Sequence, residues 1–329
     1  MTVLNLQPDD GGPAIVLRHG LASNEDVLAP LAKFLIGRAP SAFLDNSSYN
    51  WRESILRNGV DLASYLAKRY AGRPLVLVGH SMGGLLCRVA NLALNCNADF
   101  VSVMKSAGFT FGFREEDRAY AVSTAEAIAN TTKPVIKGII TLATPNSGAL
   151  TRSQMGSYSN LTPLYEIGKA VAGMNPVGAL TAAASGAAKL VRGGVRIGSE
   201  VLNFRYQSIQ DLTSDRLFRL FQHFRTTTPC LSVSGSRGNL LTGAGLRGNT
   251  IKLGGINLGM PHDLIVEDRS VDLTQSVMNH EFDPTQYLHQ RVYRDCIDAD
   301  HFNIYDQHAV RLIILEFAAA KLVLPSMGP

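Results

Sequence analysis

A serine hydroxyl attacks a carbonyl only where a base can take its proton and the chain can lift it into reach. The stretch Gly79-His80-Ser81-Met82-Gly83 has the residue types for this. Glycines two positions before and after the serine leave room for a tight, strained turn between a strand and a helix. Both flanks are present: Pro74-Leu75-Val76-Leu77-Val78 is an uninterrupted apolar run, and residues 85–94 read as a helix. A helix starting there aims its N-terminal amides and positive dipole end at the serine, so the Met82 amide can donate to a developing oxyanion. A bare Gly-x-Ser-x-Gly arises easily by chance in a chain with 30 glycines. The flanking elements give this one its meaning. Ser81 is the expected nucleophile, Gly84 a point of close helix-on-strand packing, and His80 a packing residue whose side chain leaves the turn in another direction.

A second oxyanion donor is expected from Val16-Leu17-Arg18-His19-Gly20-Leu21, an apolar strand running into His-Gly about 60 residues before the turn. Gly20 lets the backbone swing so that the Leu21 amide faces the site, with His19 structural. In a sheet carrying such a turn the partners follow the serine in the order acid, then histidine. The histidines after Ser81 are His223, His262, His280, His289, His301 and His308. Residues 297–302 read as a loop between a strand and the last helix, so His301 is the expected base; His308, held to one face of that helix, is the rival. Pro261-His262-Asp263-Leu264 places a carboxylate after a strand and a Gly-rich segment. Asp263 is expected to orient the imidazole and stabilise its charged form. Glu267 and Asp268 are rivals that could face solvent, while Asp298 and Asp300 suit shaping the histidine loop or capping a helix.

These residues have to be held by a sheet. Ala14-Ile15-Val16-Leu17, Ala42-Phe43-Leu44, residues 137–142 and Cys230-Leu231-Ser232-Val233 read as further buried strands, with a weaker one near 290–293. Helices are expected over about 25–36, 53–70 and 307–322, where apolar residues recur at helical spacing. Apolar runs suit strands covered on both faces, and strands alternating with helices predict an α/β class with a doubly wound, mostly parallel sheet. Residues 97–135 read as an irregular excursion. Residues 149–208 break the alternation: from 170 to 198 only Lys189, Arg192 and Arg196 are charged. They are expected to form a helical insertion acting as a lid, which exposes apolar surface when open; a second small domain or a packed crossover is the alternative. The expected organisation is one core in two parts, 1–148 and 209–329, interrupted by this insertion.

The totals fit such a core: 329 residues, 46% hydrophobic and 18% charged. The net charge of +4 is spread without a basic run, so the stripe that nucleic acid requires is missing, while weak attraction to anionic membrane surfaces stays open. Cys87, Cys96, Cys230 and Cys296 have no zinc-type spacing, and Cys87 reads as a small core residue. Neither a signal-type leader nor an apolar stretch of about 20 residues is visible, so a cytoplasmic, non-spanning protein is expected.

At Val78-Gly79-His80-Ser81-Met82-Gly83-Gly84, the strand-His19-Gly20 loop, Thr141-Leu142-Ala143-Thr144-Pro145-Asn146-Ser147-Gly148, His262-Asp263-Leu264-Ile265-Val266 and Asp300-His301-Phe302-Asn303, the chain resembles the lipase and esterase branch of the α/β-hydrolase superfamily. It is similar there to bacterial lipases and to esterases of the GPI inositol-deacylase type. The resemblance covers roughly 14–150 and 226–322. It implies an α/β-hydrolase fold and hydrolysis of carboxylic esters, often of lipids, without a redox cofactor. It also implies that the segment after Thr144-Pro145 leads into a lid. Some such enzymes hold a structural calcium, for which no persuasive set of oxygen ligands is seen in this sequence. Alternatives are a phospholipase touching a membrane through the insertion, an acyltransferase using the same residues, and a silent binding module that kept the fold.

Overall fold

The structure is a computed structural model that describes residues 9–21, 23–39, 41–106, 112–146, 207–213, 216–235, 252–253, 256–257, 271, 281, 285–292 and 304–323. The expected insertion at 149–208 lies outside these residues, except for 207 and 208, as do Asp263 and His301.

Six parallel strands form the frame: β1 (Ala14–Arg18), β2 (Phe43–Asp45), β3 (Pro74–His80), β4 (Val135–Leu142), β5 (Cys230–Gly235) and, after a short antiparallel β6–β7 pair (Lys252–Leu253 and Ile256–Asn257), β8 (Tyr287–Val292). Their order across the sheet is β2-β1-β3-β4-β5-β8. Side chains alternate between two cores, as period-two geometry demands. Ala14, Val16, Leu75 and Leu77 enter one core, while Ile15, Leu17, Val76 and Val78 enter the other. Both faces of the strands are therefore covered, which explains the unbroken apolar runs in the sequence. One face carries α2 (Ile55–Arg69), α3 (Met82–Asn95), α4 (Asn97–Lys105) and α5 (Glu115–Ala129); after these come α6 (Gln207–Thr213) and α7 (Arg216–Phe221). The other carries α1 (Ala29–Arg38) and α8 (His308–Leu322). The doubly wound, parallel α/β expectation holds.

Two details differ from the sequence reading. The first helix opens with a 3-10 turn, Glu25–Leu28, and α1 proper begins only at Ala29. Pro30 explains the break, since a proline is tolerated in the first turn of a helix and not in its interior. Residues 97–135 are also not an irregular excursion, because they hold α4 and α5. Their apolar pattern is weak because α5 buries Ala121 and Ala125, with Ile128, in place of large residues. Small side chains let it pack close to α2 while leaving little periodic hydrophobicity to read.

The sheet also fixes where a ligand can bind. The chain leaves β1 for β2 on one side and returns to β3 on the other, so strand order reverses at β1. Ligand crevices of open α/β sheets lie beyond the carboxyl ends of the strands at such a switch point.

Candidate active site

Ser81 is the single residue between the end of β3 and the start of α3, at that switch point. Its backbone has φ 53° and ψ −126°, in the left-handed half of conformational space that a side chain rarely adopts. Two backbone bonds hold it there: its amide donates to the Leu142 carbonyl at 2.8 Å, and the Gly84 amide donates to its carbonyl at 3.0 Å. The turn is tight because glycines allow close approach. A Cβ on Gly79 would overlap the backbone of Gly83 and Gly84, and one on Gly83 would overlap the carbonyls of Arg18 and His19. Gly84 meets the Thr144 side chain, the close helix-to-strand packing expected of it. The Met82 amide is the first of α3, among those with no partner inside the helix.

Across from the turn lies the loop after β1. A Cβ on Gly20 would stand 2.9 Å from the Cβ of Ser81, so this glycine is pressed directly on the serine. Leu21 follows it, half-buried, packed on the core that α3 shares. The sequence-predicted residues Ser81, Met82 and Leu21 are therefore brought together.

His80 is buried, its ring edge-on to Tyr305 with centroids 5.0 Å apart and its Nδ1 beside Gly20. His308 opens α8, exposed, with its ring edge-on to Phe34 of α1 at 5.8 Å.

Sequence reasoning missed what surrounds the β1 loop. The segment after β2 wraps it: Tyr49 stacks on the His19 ring at 4.3 Å between centroids and donates its hydroxyl to the His19 carbonyl at 2.7 Å. Ser48 Oγ lies 3.1 Å from His19 Nε2, and His19 Nδ1 lies 2.9 Å from the Gly20 carbonyl. Burial pulls the His19 pKa down to about 4, so the ring is neutral at ordinary pH. A carbonyl can only accept, so Nδ1 carries the proton and the unprotonated Nε2 faces Ser48 Oγ, a hydroxyl that also hydrogen-bonds Glu25. The wrapping segment is itself anchored at Asp45, which accepts from the hydroxyls of Tyr65 and Tyr70, both at 2.7 Å, and from the Ser47 amide at 3.0 Å. Burial alone would raise the Asp45 carboxyl, but nearby Arg18 and these hydrogen bonds outweigh it and hold the group below its usual range. No local motif advertised these residues, because β2 and β1 become neighbours only in the folded sheet.

Among the described residues no group of three or more His, Cys, Asp or Glu side chains could hold a metal ion. None of their helices is long and apolar enough to cross a membrane.

No protein-family model and no curated protein sequence matches the chain. Solved structures do share its fold. The chain is similar to the mature form of the Bacillus licheniformis lipase BlEst2, with a TM-score of 0.52 and 16% identity over 95% of this chain and 94% of that one. Similarity extends to the RedJ thioesterase of the prodiginine pathway in Streptomyces coelicolor (TM-score 0.47, 11% identity, 96% of this chain and 87% of that one). A lipase-esterase related protein from Clostridium acetobutylicum gives a TM-score of 0.47 at 10% identity, over 96% and 98% of the two chains. The fold is that of the α/β-hydrolases.

Proposed function

We propose that this chain is a serine hydrolase that cleaves carboxylic acyl esters through an acyl-enzyme on Ser81. The observation that carries the proposal is Ser81 itself: a non-glycine residue at φ 53° between a parallel strand and a helix, at the switch point of the sheet. Strained backbone persists where the surrounding structure over-determines it, and it clusters at sites of chemistry. In the proposed reaction His301 takes the proton from Ser81 Oγ as it attacks the ester carbonyl, and Asp263 steadies the resulting imidazolium. The tetrahedral oxyanion receives the amides of Met82 and Leu21. His301 then protonates the departing alcohol, and water releases the acid by the same steps in reverse order.

Support for His301 comes from its neighbours in the chain. Tyr305, four residues on, packs on His80 beside the nucleophile, and four residues of extended chain reach no more than about 14 Å. The apolar insertion at 149–208 is proposed to cover the acyl chain, in keeping with the lipase whose fold this chain shares. The test is covalent labelling with a fluorophosphonate, followed by hydrolysis of p-nitrophenyl esters of rising chain length. Wild type is expected to label at Ser81 and to turn over, while Ser81→Ala does neither and His301→Ala and Asp263→Ala lose at least about a thousandfold in kcat. Full activity in Ser81→Ala would sink the proposal.

A further inference from the structure

Gly20 has no side chain by which the loop after β1 could be fixed, and the space where one would go is filled by Ser81. The backbone itself must be held, and its carbonyls are what the surrounding residues grip. The carbonyls of His19 and Gly20 are held where the segment after β2 meets the loop. The Tyr49 hydroxyl holds the His19 carbonyl, and the His19 ring holds the Gly20 carbonyl. That ring is fixed in turn by stacking on Tyr49 and by Ser48 at its far nitrogen. Asn46 closes the other side, donating from Nδ2 to the Glu25 carbonyl at 2.8 Å.

In a trans peptide the carbonyl and the following N–H point in opposite directions. A Gly20 carbonyl turned toward the buried His19 ring therefore turns the Leu21 N–H away from it, to the side not occupied by that ring. We infer that His19, Ser48 and Tyr49 form a clamp that sets the direction of the Leu21 amide, making them positioning residues for the oxyanion of the reaction proposed above, on which this inference rests. None of the three touches the substrate. The clamp fixes a donor in advance, so the donor need not reorganise when charge develops, which is the condition under which such a donor accelerates a reaction.

The role separates from plain packing by which quantity changes. A positioning residue lowers kcat and the affinity for a tetrahedral anion together, leaves KM nearly unchanged, and does not move the pH profile set by the base. Full-length wild type, Tyr49→Phe, His19→Ala and His19→Asn are compared for kcat and KM on p-nitrophenyl butyrate, for inhibition by an alkyl boronic acid, and for melting temperature. Tyr49→Phe removes one oxygen and keeps the stack, so it tests the clamp without threatening the fold. It is expected to lose about tenfold in kcat and a similar factor in boronate affinity, and His19→Ala about a hundredfold in both. His19→Asn puts an N–H donor where Nδ1 stood and recovers part of the His19→Ala loss. Variants that melt lower while keeping wild-type kcat and boronate affinity would overturn the clamp and leave a purely structural network. Wild-type hydrolysis that survives Ser81→Ala overturns the functional reading instead, and the clamp falls with it.

Discussion

At φ 53° and ψ −126°, Ser81 is held against the preference of its own side chain by two backbone hydrogen bonds and by glycines that admit the turn. Such conformations carry about 1–3 kcal/mol of strain for a residue with a Cβ and almost none for glycine. Glycine also adds flexibility to the unfolded chain, which takes back a part of that gain, roughly 0.4–1 kcal/mol. Ser81→Gly is therefore expected to unfold at higher urea than Ser81→Ala, by about 1 kcal/mol, with both inactive. Equal midpoints would mean the turn stores no more strain than glycine's flexibility offsets, roughly 0.4–1 kcal/mol. This scale was largely legible in the sequence: Gly79, Ser81 and Gly83 carry their meaning in their spacing, because a sharp turn is a local event. His19 was readable only as structural. The residues that make it so, Ser48 and Tyr49, sit 29 and 30 positions away and belong to another strand's loop.

The elements were legible where one face is rich in large apolar residues, as in α2, and faded where alanine does the packing, as in α5. Their ends were less so, and α2 shows why. Ser54 at its N-cap makes no capping bond to the helix with its side chain. The cap is Asp211 of α6, whose carboxylate accepts from the Ile55 amide at 2.8 Å and from Ser54 Oγ at 3.1 Å, with Gln207 Nε2 donating to it at 3.1 Å. A carboxylate 156 positions along the chain has taken the place of a local cap, and no window on the sequence contains both partners. Burial pushes the Asp211 pKa up against the pull of these hydrogen bonds and of Arg216, whose guanidinium lies 3.4 Å from its other carboxylate oxygen. Asp211→Asn, which keeps an acceptor for Ile55 and Ser54 but turns an amide NH2 toward Gln207 and Arg216, should cost about 1–2 kcal/mol; Asp211→Ala, which leaves the first turn of α2 without its partner, about 2–3 kcal/mol. Urea unfolding of the two variants checks the order. A loss in Asp211→Asn as large as in Asp211→Ala would show that the oxygen facing Gln207 and Arg216 matters as much as the one that caps α2.

Across the whole molecule, the helix that follows Ser81 is tied to chain that lies far beyond the proposed insertion. Arg88, two turns along α3 from Ser81, is fully buried and pairs with the equally buried Glu281, with Nε donating at 2.9 Å. Its guanidinium also donates to the side chain and carbonyl of Asn146, the last described residue before the insertion, and lies on the Phe221 ring at 3.6 Å. Asn146 donates onward to the carbonyl of Val271 at 2.8 Å. One buried cation thus joins α3, the segment after β4 and two points of the chain that follow Asp263 in sequence. Ion pairs of this kind contribute little net stability, yet losing one partner strands the other charge at a cost of about 3–5 kcal/mol. Arg88→Met is expected to destabilise by that amount at neutral pH, and Arg88→Met/Glu281→Leu to recover most of it. Burial already raises the Glu281 carboxyl despite Arg88, and without the arginine it rises further. A folded-state pKa above the unfolded one adds stability below the unfolded value, which is lost as pH climbs through the folded value. The Arg88→Met deficit should therefore shrink toward acid pH, and should not do so in the double variant. Urea titrations of wild type, Arg88→Met and the double variant at several pH values measure this directly. A deficit in Arg88→Met that is independent of pH would show that the loss comes from the Asn146 and Phe221 contacts, with the Glu281 charge having no part in joining the two halves of the chain.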